Sequence, residues 1–392
     1  MCAALADGVS QIINPLSSDD TQAAIHVLGQ VGIPISEKGN YWQVIGGNFK
    51  EPDDDLFCGE SAATLRFMTA ICALIPGECR LTAGPSLSRR PLKPLFQALR
   101  QLGANCSGQS DLAPVVVQGG TLSGGLVELP GNISSQFISA LLLIAPFAKG
   151  VKIHLTTPLE SKPFLLMTID CLKQFGINVE YSPDLRRSEV WRQIYQPATY
   201  QVEGDWSSAS YLLALGALGG KVRVENLNLG SRQGDKMILD FLRGMGAVVE
   251  ADRDSVTVRK TKLKSIRADV SDCIDLLPTL AILAAVANGA SEFVGIERAR
   301  IKESDRVAAV KAGLERMGIR VEEARNRLVI TGSRPKGATI DSKDDHRIAM
   351  AFGVLGSVTG ETVINGAECV SKTFPSFWEA LKKLGSEVEI RE

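Results

Sequence analysis

The chain is predicted to be an α/β protein of two domains, and three observations lead there. An apolar helix end closed by glycine and followed by a strand-like stretch recurs six times along the 392 residues. The glycines are Gly32, Gly103, Gly176, Gly246, Gly318 and Gly385, spaced 71, 73, 70, 72 and 67 residues apart. A polar stretch at 196–204, Gln-Pro-Ala-Thr-Tyr-Gln-Val-Glu-Gly, lies between the third and fourth copies and reads as a hinge. Solenoid repeats usually run to roughly 20 to 50 residues, and these units are longer. Three units in each of two compact domains, 1–203 and 204–392, satisfy the spacing and the chain length.

Each element of the repeat has a local reason. Glycine just past a helix end reaches the left-handed conformation without a Cβ penalty, so the six glycines read as helix stops. The stretches that follow, such as Ala-Val-Val-Glu-Ala (247–251), alternate apolar and polar residues. They turn and return as in Ser-Val-Thr-Val-Arg (255–259), a returning strand pair. One helix with one such pair cannot cover its own apolar face, so neighbouring units must pack together. A second, more apolar helix in each unit opens on small polar residues. Ser134 and Ser207, 73 residues apart, read as N-caps of two of them.

Composition excludes several classes of function. A net charge of −1 provides no field that would hold the chain on nucleic acid or an anionic membrane. No apolar run reaches the roughly 18 residues of a membrane span. The opening residues 1–8 have no basic region and meet Asp7 early, unlike a secretory leader. The eight cysteines show no Cys-x-x-Cys spacing, which argues against a metal site or disulfide frame and for reduced thiols in the cytoplasm.

Charge instead concentrates where loops meet helices. Arg-Ala-Arg-Ile-Lys-Glu-Ser-Asp-Arg (298–306), Lys-Asp-Asp-His-Arg (343–347) and Ser-Lys-Thr-Phe-Pro (371–375) do so in the second half. Cys-Gly-Glu-Ser-Ala-Ala-Thr-Leu-Arg (58–66) and Leu-Ser-Arg-Arg-Pro (87–91) do so in the first. One such run is usually a solvated face. Five at loop-to-helix junctions of a repeated fold suit fixed cations at helix N-termini, which favour anions. Asp275, in the apolar stretch Cys-Ile-Asp-Leu-Leu-Pro (273–278), requires a partner if it is buried.

Five of these motifs, Arg-Arg-Pro-Leu (89–92), Ser-Ser-Gln-Phe (134–137), Lys-Glu-Ser-Asp-Arg (302–306), Asp-His-Arg-Ile-Ala-Met (345–350) and Ser-Lys-Thr-Phe-Pro (371–375), stand in one order. In that order the chain resembles the EPSP synthase family from end to end. The resemblance implies the enolpyruvyl transferase fold: two domains, each of three βαβαββ repeats, inverse α/β-barrel-like, with the active site in the cleft between them. It also implies transfer of the enolpyruvyl group of phosphoenolpyruvate to the 5-hydroxyl of shikimate 3-phosphate, with release of phosphate. No cofactor and no metal are needed. By motif match, Arg90, Gln136, Arg306, Arg347 and Lys372 hold phosphoenolpyruvate; Arg66 joins them for its place after the loop at the first helix start. Ser134, Ser135, Gln136, Ser161, Asp275 and Lys302 hold shikimate 3-phosphate. Asp275 takes the hydroxyl proton and Glu303 serves the methylene carbon; the plainer alternative for Glu303 is an i,i+3 pair with Arg306 on a helix. The expected partners are these two small molecules, with no nucleic acid and no membrane, and the chain is expected to be monomeric.

The pattern departs from the family in three places. The N-terminal Gly-Ser-Lys-Ser…Asn-Arg signature is absent, so the first repeat is expected to be incomplete and an N-terminally truncated, weakly active or inactive form is an alternative. Glu60 and the pair Ala62 and Ala63 replace Asn and Gly-Thr of the usual loop, and Phe164 stands where Tyr often stacks on the shikimate ring. The sister transferase acting on UDP-N-acetylglucosamine carries a Cys in the loop that here reads Gly-Pro-Ser-Leu-Ser-Arg-Arg-Pro (84–91). RNA-phosphate cyclase, which uses similar repeats, calls for a more basic chain and a nucleophilic His.

Overall fold

The computed structural model describes residues 1–391, which form two compact units, one ending at Val202 and the other beginning at Glu203. The second copy of the repeat shows the plan. Strand Leu56–Phe57 leads through helix Ala62–Cys72 to the parallel strand Gly77–Thr82. Helix Lys93–Gln101 then leads to the strands Asn105–Gly108 and Val115–Gly119. Val115–Gly119 inserts antiparallel between Gly77–Thr82 and Asn105–Gly108. The same order recurs in the third copy, with Gly125–Leu129, Gly150–Leu155, Arg187–Trp191 and Glu180–Tyr181. It recurs again in the second unit with Arg267–Asp269, Ala290–Val294, Arg327–Thr331 and Arg320–Ala324.

All six repeat glycines lie at positive φ, between +81° and +93°. Past each, the chain closes the same 6→1 bond onto the carbonyl of a leucine in the last helical turn. Ile33 N to Leu28 O, Ala104 N to Leu99 O, Ile177 N to Leu172 O, Ala247 N to Leu242 O, Ile319 N to Leu314 O and Ser386 N to Leu381 O all measure 2.9–3.0 Å. These are Schellman stops, in which the leucine packs inward while its carbonyl is satisfied.

The stretch 196–204, read as a hinge, contains the strand Thr199–Gln201, which pairs parallel with Gly8–Ile13 in the first sheet. Tyr200 explains why: its ring stacks on Phe175 at 6.3 Å, so a segment polar in composition still has one apolar anchor. The sheet of Lys221–Glu225, Ser255–Arg259 and Val248–Ala251 has three strands.

In each unit the more apolar helices form the centre. Helices Ala62–Cys72 and Ser135–Ile144 pack together in the first unit; Trp206–Gly219, Leu277–Val286 and His346–Thr359 do so in the second. Leu277 through Ala285 are all buried, as a helix apolar on every side must be. Interior polar groups such as Ser210 Oγ and Thr279 Oγ1 pair with each other, at 3.2 Å, and the charged residues described next lie at or near helix ends.

Candidate active site

In the second unit, four loop-to-helix junctions bring charge together. Arg306, the first residue of helix Arg306–Arg316, is 1% exposed and reaches three carboxylates. Its Nε donates to Asp345 Oδ2 at 2.8 Å, its Nη1 to Asp275 Oδ1 at 2.5 Å and its Nη2 to Glu303 Oε2. Lys302 Nζ lies 3.3 Å from Asp275 Oδ1, and Arg347 Nη2 lies 3.6 Å from Asp275 Oδ2. Lys372 Nζ, at the end of the 3-10 turn Ala367–Lys372, donates to Glu303 Oε1 at 3.0 Å. Six predicted site residues of this unit, Asp275, Lys302, Glu303, Arg306, Arg347 and Lys372, therefore form one network.

Asp345 anchors it. As N-cap of helix His346–Thr359 it accepts from Arg347 N at 3.0 Å, and Ser304 Oγ donates to its other oxygen at 3.0 Å. Glu303 lies before the helix that Asp305 caps, so its pairing with Arg306 joins a loop to a helix start rather than successive helical turns.

The electrostatics follow from this crowding. Burial pushes the Asp275 carboxyl up, but Arg347, Lys302 and Arg306 outweigh it and hold the group well below the usual carboxylate range. Burial, followed by Arg306, draws Lys302 below the ordinary lysine range despite Asp275. Burial costs Arg306 and Arg347 too, yet their carboxylate neighbours hold both guanidinium groups more firmly charged than usual. His346, 2% exposed, is pushed down to about 3 by burial and then by Arg347, so its ring is neutral. Its Nδ1 stands 3.9 Å from Asp345, beyond hydrogen-bond reach, so the ring does not orient that carboxylate.

In the first unit Ser134, Ser135, Gln136 and Ser161 sit at helix starts, Arg66 in the second turn of a helix and Arg90 just after a 3-10 turn. Ser134 caps helix Ser135–Ile144, accepting from Gln136 N at 3.3 Å. Arg66, on helix Ala62–Cys72, donates to Gln136 Oε1 at 2.5 Å and to Ser134 Oγ at 3.2 Å, with its guanidinium 5.0 Å above the Phe137 ring. Ser135 and Ser161 are buried, and Ser161 holds a left-handed backbone (φ 57°) directly before Lys162 and Pro163. Arg90, 7% exposed, ends the 3-10 turn Leu87–Arg89. Fixed donors of this kind in the first unit suit phosphate and carboxylate ligands, and so, taken by themselves, do the second unit's guanidinium and ammonium groups. Among the described residues, no His, Cys, Asp and Glu group has the arrangement of a metal site.

Known proteins with this chain order and fold decide the family. The model of EPSP synthase (3-phosphoshikimate 1-carboxyvinyltransferase) matches residues 1–381. A 3-phosphoshikimate 1-carboxyvinyltransferase of Dehalococcoides mccartyi is 52% identical over 391 residues, covering 99% of this chain and 93% of that protein. Its counterpart from Methanocaldococcus jannaschii is 41% identical over 399 residues, with the same coverage. The chain belongs to the EPSP synthase family. A solved EPSP synthase from Acinetobacter baumannii, at 27% identity, superposes with a TM-score of 0.84 over 100% of this chain and 93% of that one, in keeping with the expected enolpyruvyl transferase fold.

Beside the predicted residues, this EPSP synthase family member places side chains that sequence reasoning passed over. Ser207, read as an N-cap, lies inside the first turn of helix Trp206–Gly219. Asp205 caps that helix instead, accepting from Ser207 N and Ser208 N at 3.0 Å each, because a carboxylate can take both donors. The Ser207 hydroxyl accepts from Arg347 Nη1. Asp235, 3% exposed, is raised to about 7 by burial and then by the charge of Asp275. Tyr211, fully buried, is pushed up to about 12, chiefly by burial. Asp235 follows Gln-Gly at a helix start, the one signal that could have marked it; Tyr211 lies in an apolar helix and carried none.

Proposed function

We propose that the networked residues carry the family's reaction: transfer of the enolpyruvyl group of phosphoenolpyruvate to the 5-hydroxyl of shikimate 3-phosphate, with release of phosphate. The chain is a transferase of the shikimate pathway, in aromatic amino-acid biosynthesis. The observation that carries the assignment of roles is the pair of carboxylates Asp275 and Glu303, both clamped by Arg306 and each served by a different lysine.

Two anionic substrates repel one another, so binding groups must offset charge and fix orientation. Arg66, Arg90 and Gln136 of the first unit, with Arg306, Arg347 and Lys372 of the second, are assigned to phosphoenolpyruvate. Ser134, Ser135, Gln136, Ser161, Asp275 and Lys302 are assigned to shikimate 3-phosphate. The 5-hydroxyl loses a proton as its oxygen bonds to the enolpyruvyl carbon, and the methylene carbon gains one. The vinyl group is regenerated when that carbon gives a proton back and phosphate leaves. Asp275 is the acceptor for the hydroxyl proton. It is ionised at neutral pH, and a substrate phosphate that draws Lys302 or Arg347 away from it would raise its basicity. Glu303 serves the methylene carbon, with Lys372 and Arg306 holding its two oxygens in place.

All eight cysteines are free thiols, which supports a reducing compartment, and we assign the chain to the cytoplasm as a monomer. The decisive assay is phosphate release from shikimate 3-phosphate plus phosphoenolpyruvate, with Asp275→Asn and Glu303→Gln beside the parent. Each substitution is expected to lower kcat at least about tenfold. A Glu303→Gln protein at full rate would remove that residue from the proton transfers.

A further inference from the structure

Glu60 is a carboxylate that the assigned roles leave unused, and its surroundings are specific. One oxygen accepts from Ser86 N at 3.0 Å and the other from Leu87 N at 2.8 Å. Both donors lie at the start of the 3-10 turn Leu87–Arg89, whose next residue is Arg90. Glu60 itself lies just ahead of Ser61, the N-cap of the helix that bears Arg66. A backbone bond from Gly84 N to Gly59 O, 2.8 Å, runs alongside. One side chain thus ties the loop of Arg90 to the helix start of Arg66.

Gly84 supplies a second, independent observation. Its φ is not in the left-handed region, so conformation alone does not call for glycine here. A Cβ at this position would stand 2.3 Å from Glu60 Oε1 and 2.8 Å from its Cδ. The absent methyl leaves the space that the carboxylate fills.

We propose that Glu60 is a positioning residue for phosphoenolpyruvate, holding the 84–90 loop against the helix start so that Arg90 and Arg66 keep a fixed separation. The inference rests on the assignment of those two arginines to phosphoenolpyruvate. Two charge-assisted bonds to backbone N–H groups fix the loop as well as its side chains, which a neutral amide does only in part. Glutamine keeps one acceptor and turns an NH2 toward the other N–H, so it should serve as a partial replacement.

The test measures kcat, the KM of each substrate and the thermal midpoint for Glu60→Ala, Glu60→Gln, Gly84→Ala, the Glu60→Ala/Gly84→Ala double variant and Arg90→Ala. Glu60→Ala is expected to raise the phosphoenolpyruvate KM about tenfold, with the shikimate 3-phosphate KM within about twofold. Glu60→Gln should raise it about threefold. Gly84→Ala should match Glu60→Ala, and the double variant should be no worse than the single ones, since the added methyl acts by expelling the carboxylate. Independent, multiplying effects of the two substitutions would overturn the proposal. So would an equal rise in both KM values with a fall in thermal midpoint, the mark of a purely structural role. If Arg90→Ala raises the phosphoenolpyruvate KM while Glu60→Ala leaves it unchanged, Glu60 has no positioning role and the arginine assignment stands. If Arg90→Ala has no effect on that KM, the arginine assignment fails and takes the proposal with it.

Discussion

The ammonium of Lys372 stands 3.0 Å from Oε1 of Glu303, a contact that joins two loops 69 residues apart in sequence. Arg306 holds the other oxygen, so removing Lys372 leaves Glu303 paired and the fold intact. Lys372→Ala is therefore expected to lower kcat at least about tenfold with little change in thermal midpoint. Glu303→Ala should cost a comparable factor, and the double variant should fall well short of the product of the two. Residues acting as one unit are not additive, and steady-state kinetics of the three variants measure the shortfall.

Arg306 calls for a different prediction, because three carboxylates depend on it. With side chains 0–15% exposed, Asp275, Glu303 and Asp345 would be left with fewer cations in Arg306→Met. Removing one partner of a buried pair costs about 3–5 kcal/mol, and the loss should appear in the urea transition of the second unit. Arg306→Lys is not a conservative replacement here, since one ammonium cannot span three acceptors held by a forked group. It should recover less than half of the lost stability.

Two buried groups should give the second unit opposing pH responses. His346 titrates near 3 in the folded chain against 6.5 when free, so the folded form binds fewer protons between those values. Its contribution is complete above pH 6.5 and is lost as pH falls, by about 2 kcal/mol from pH 7 to 5. Asp235 is raised to about 7 from 3.8, so there the folded form holds the extra proton. Its effect runs the other way: stability falls as pH rises through that window, again by about 2 kcal/mol between pH 5 and 7. Relative to the parent, His346→Gln should gain stability on going from pH 7 to 5, and Asp235→Asn should lose it. Urea midpoints at the two pH values distinguish the signs; matching slopes in both variants would refute the assignment.

What was legible in the sequence was whatever local chemistry repeats. The six glycines could be read because a left-handed helix stop has one cheap residue, and all six close the same bond. The second unit's charged residues could be read because their motifs lie contiguously at loop-to-helix junctions. Asp275 was legible for a different reason: a carboxylate among leucines implies partners elsewhere in the chain, and Lys302, Arg306 and Arg347 supply them. Ser207 was misread because Ser-Ser at a helix start is a sound cap signal until an Asp two residues earlier competes for the same N–H groups. The strand Thr199–Gln201 was hidden because its pairing partner, Gly8–Ile13, is nearly the whole unit away in sequence. Glu60 read only as a departure from the usual loop, since backbone acceptance by a side chain leaves no pattern in composition.

Packing between two of the helices that carry the second unit's network provides a last prediction. Gly313 lies within helix Arg306–Arg316 and faces Phe352 of helix His346–Thr359; a Cβ on it would stand 2.3 Å from Phe352 Cζ. Alanine would favour an exposed helix by about 1 kcal/mol, because glycine is the poorer helix former. Here Phe352 is fully buried, and a close-packed interior resists displacement of a ring, so the added methyl is expected to separate the helices. Overpacking of this kind costs about 1–3 kcal/mol, enough to reverse the sign, and Gly313→Ala is expected to be net destabilising by about 1 kcal/mol or more. Phe352→Leu removes the obstructing ring edge at the expense of a cavity. In that background Gly313→Ala should become neutral or stabilising, as chemical denaturation of the four proteins of the cycle will measure. A Gly313→Ala cost that persists unchanged once the Phe352 ring is gone would mean that backbone entropy or another neighbour, rather than the Phe352 contact, sets the requirement for glycine.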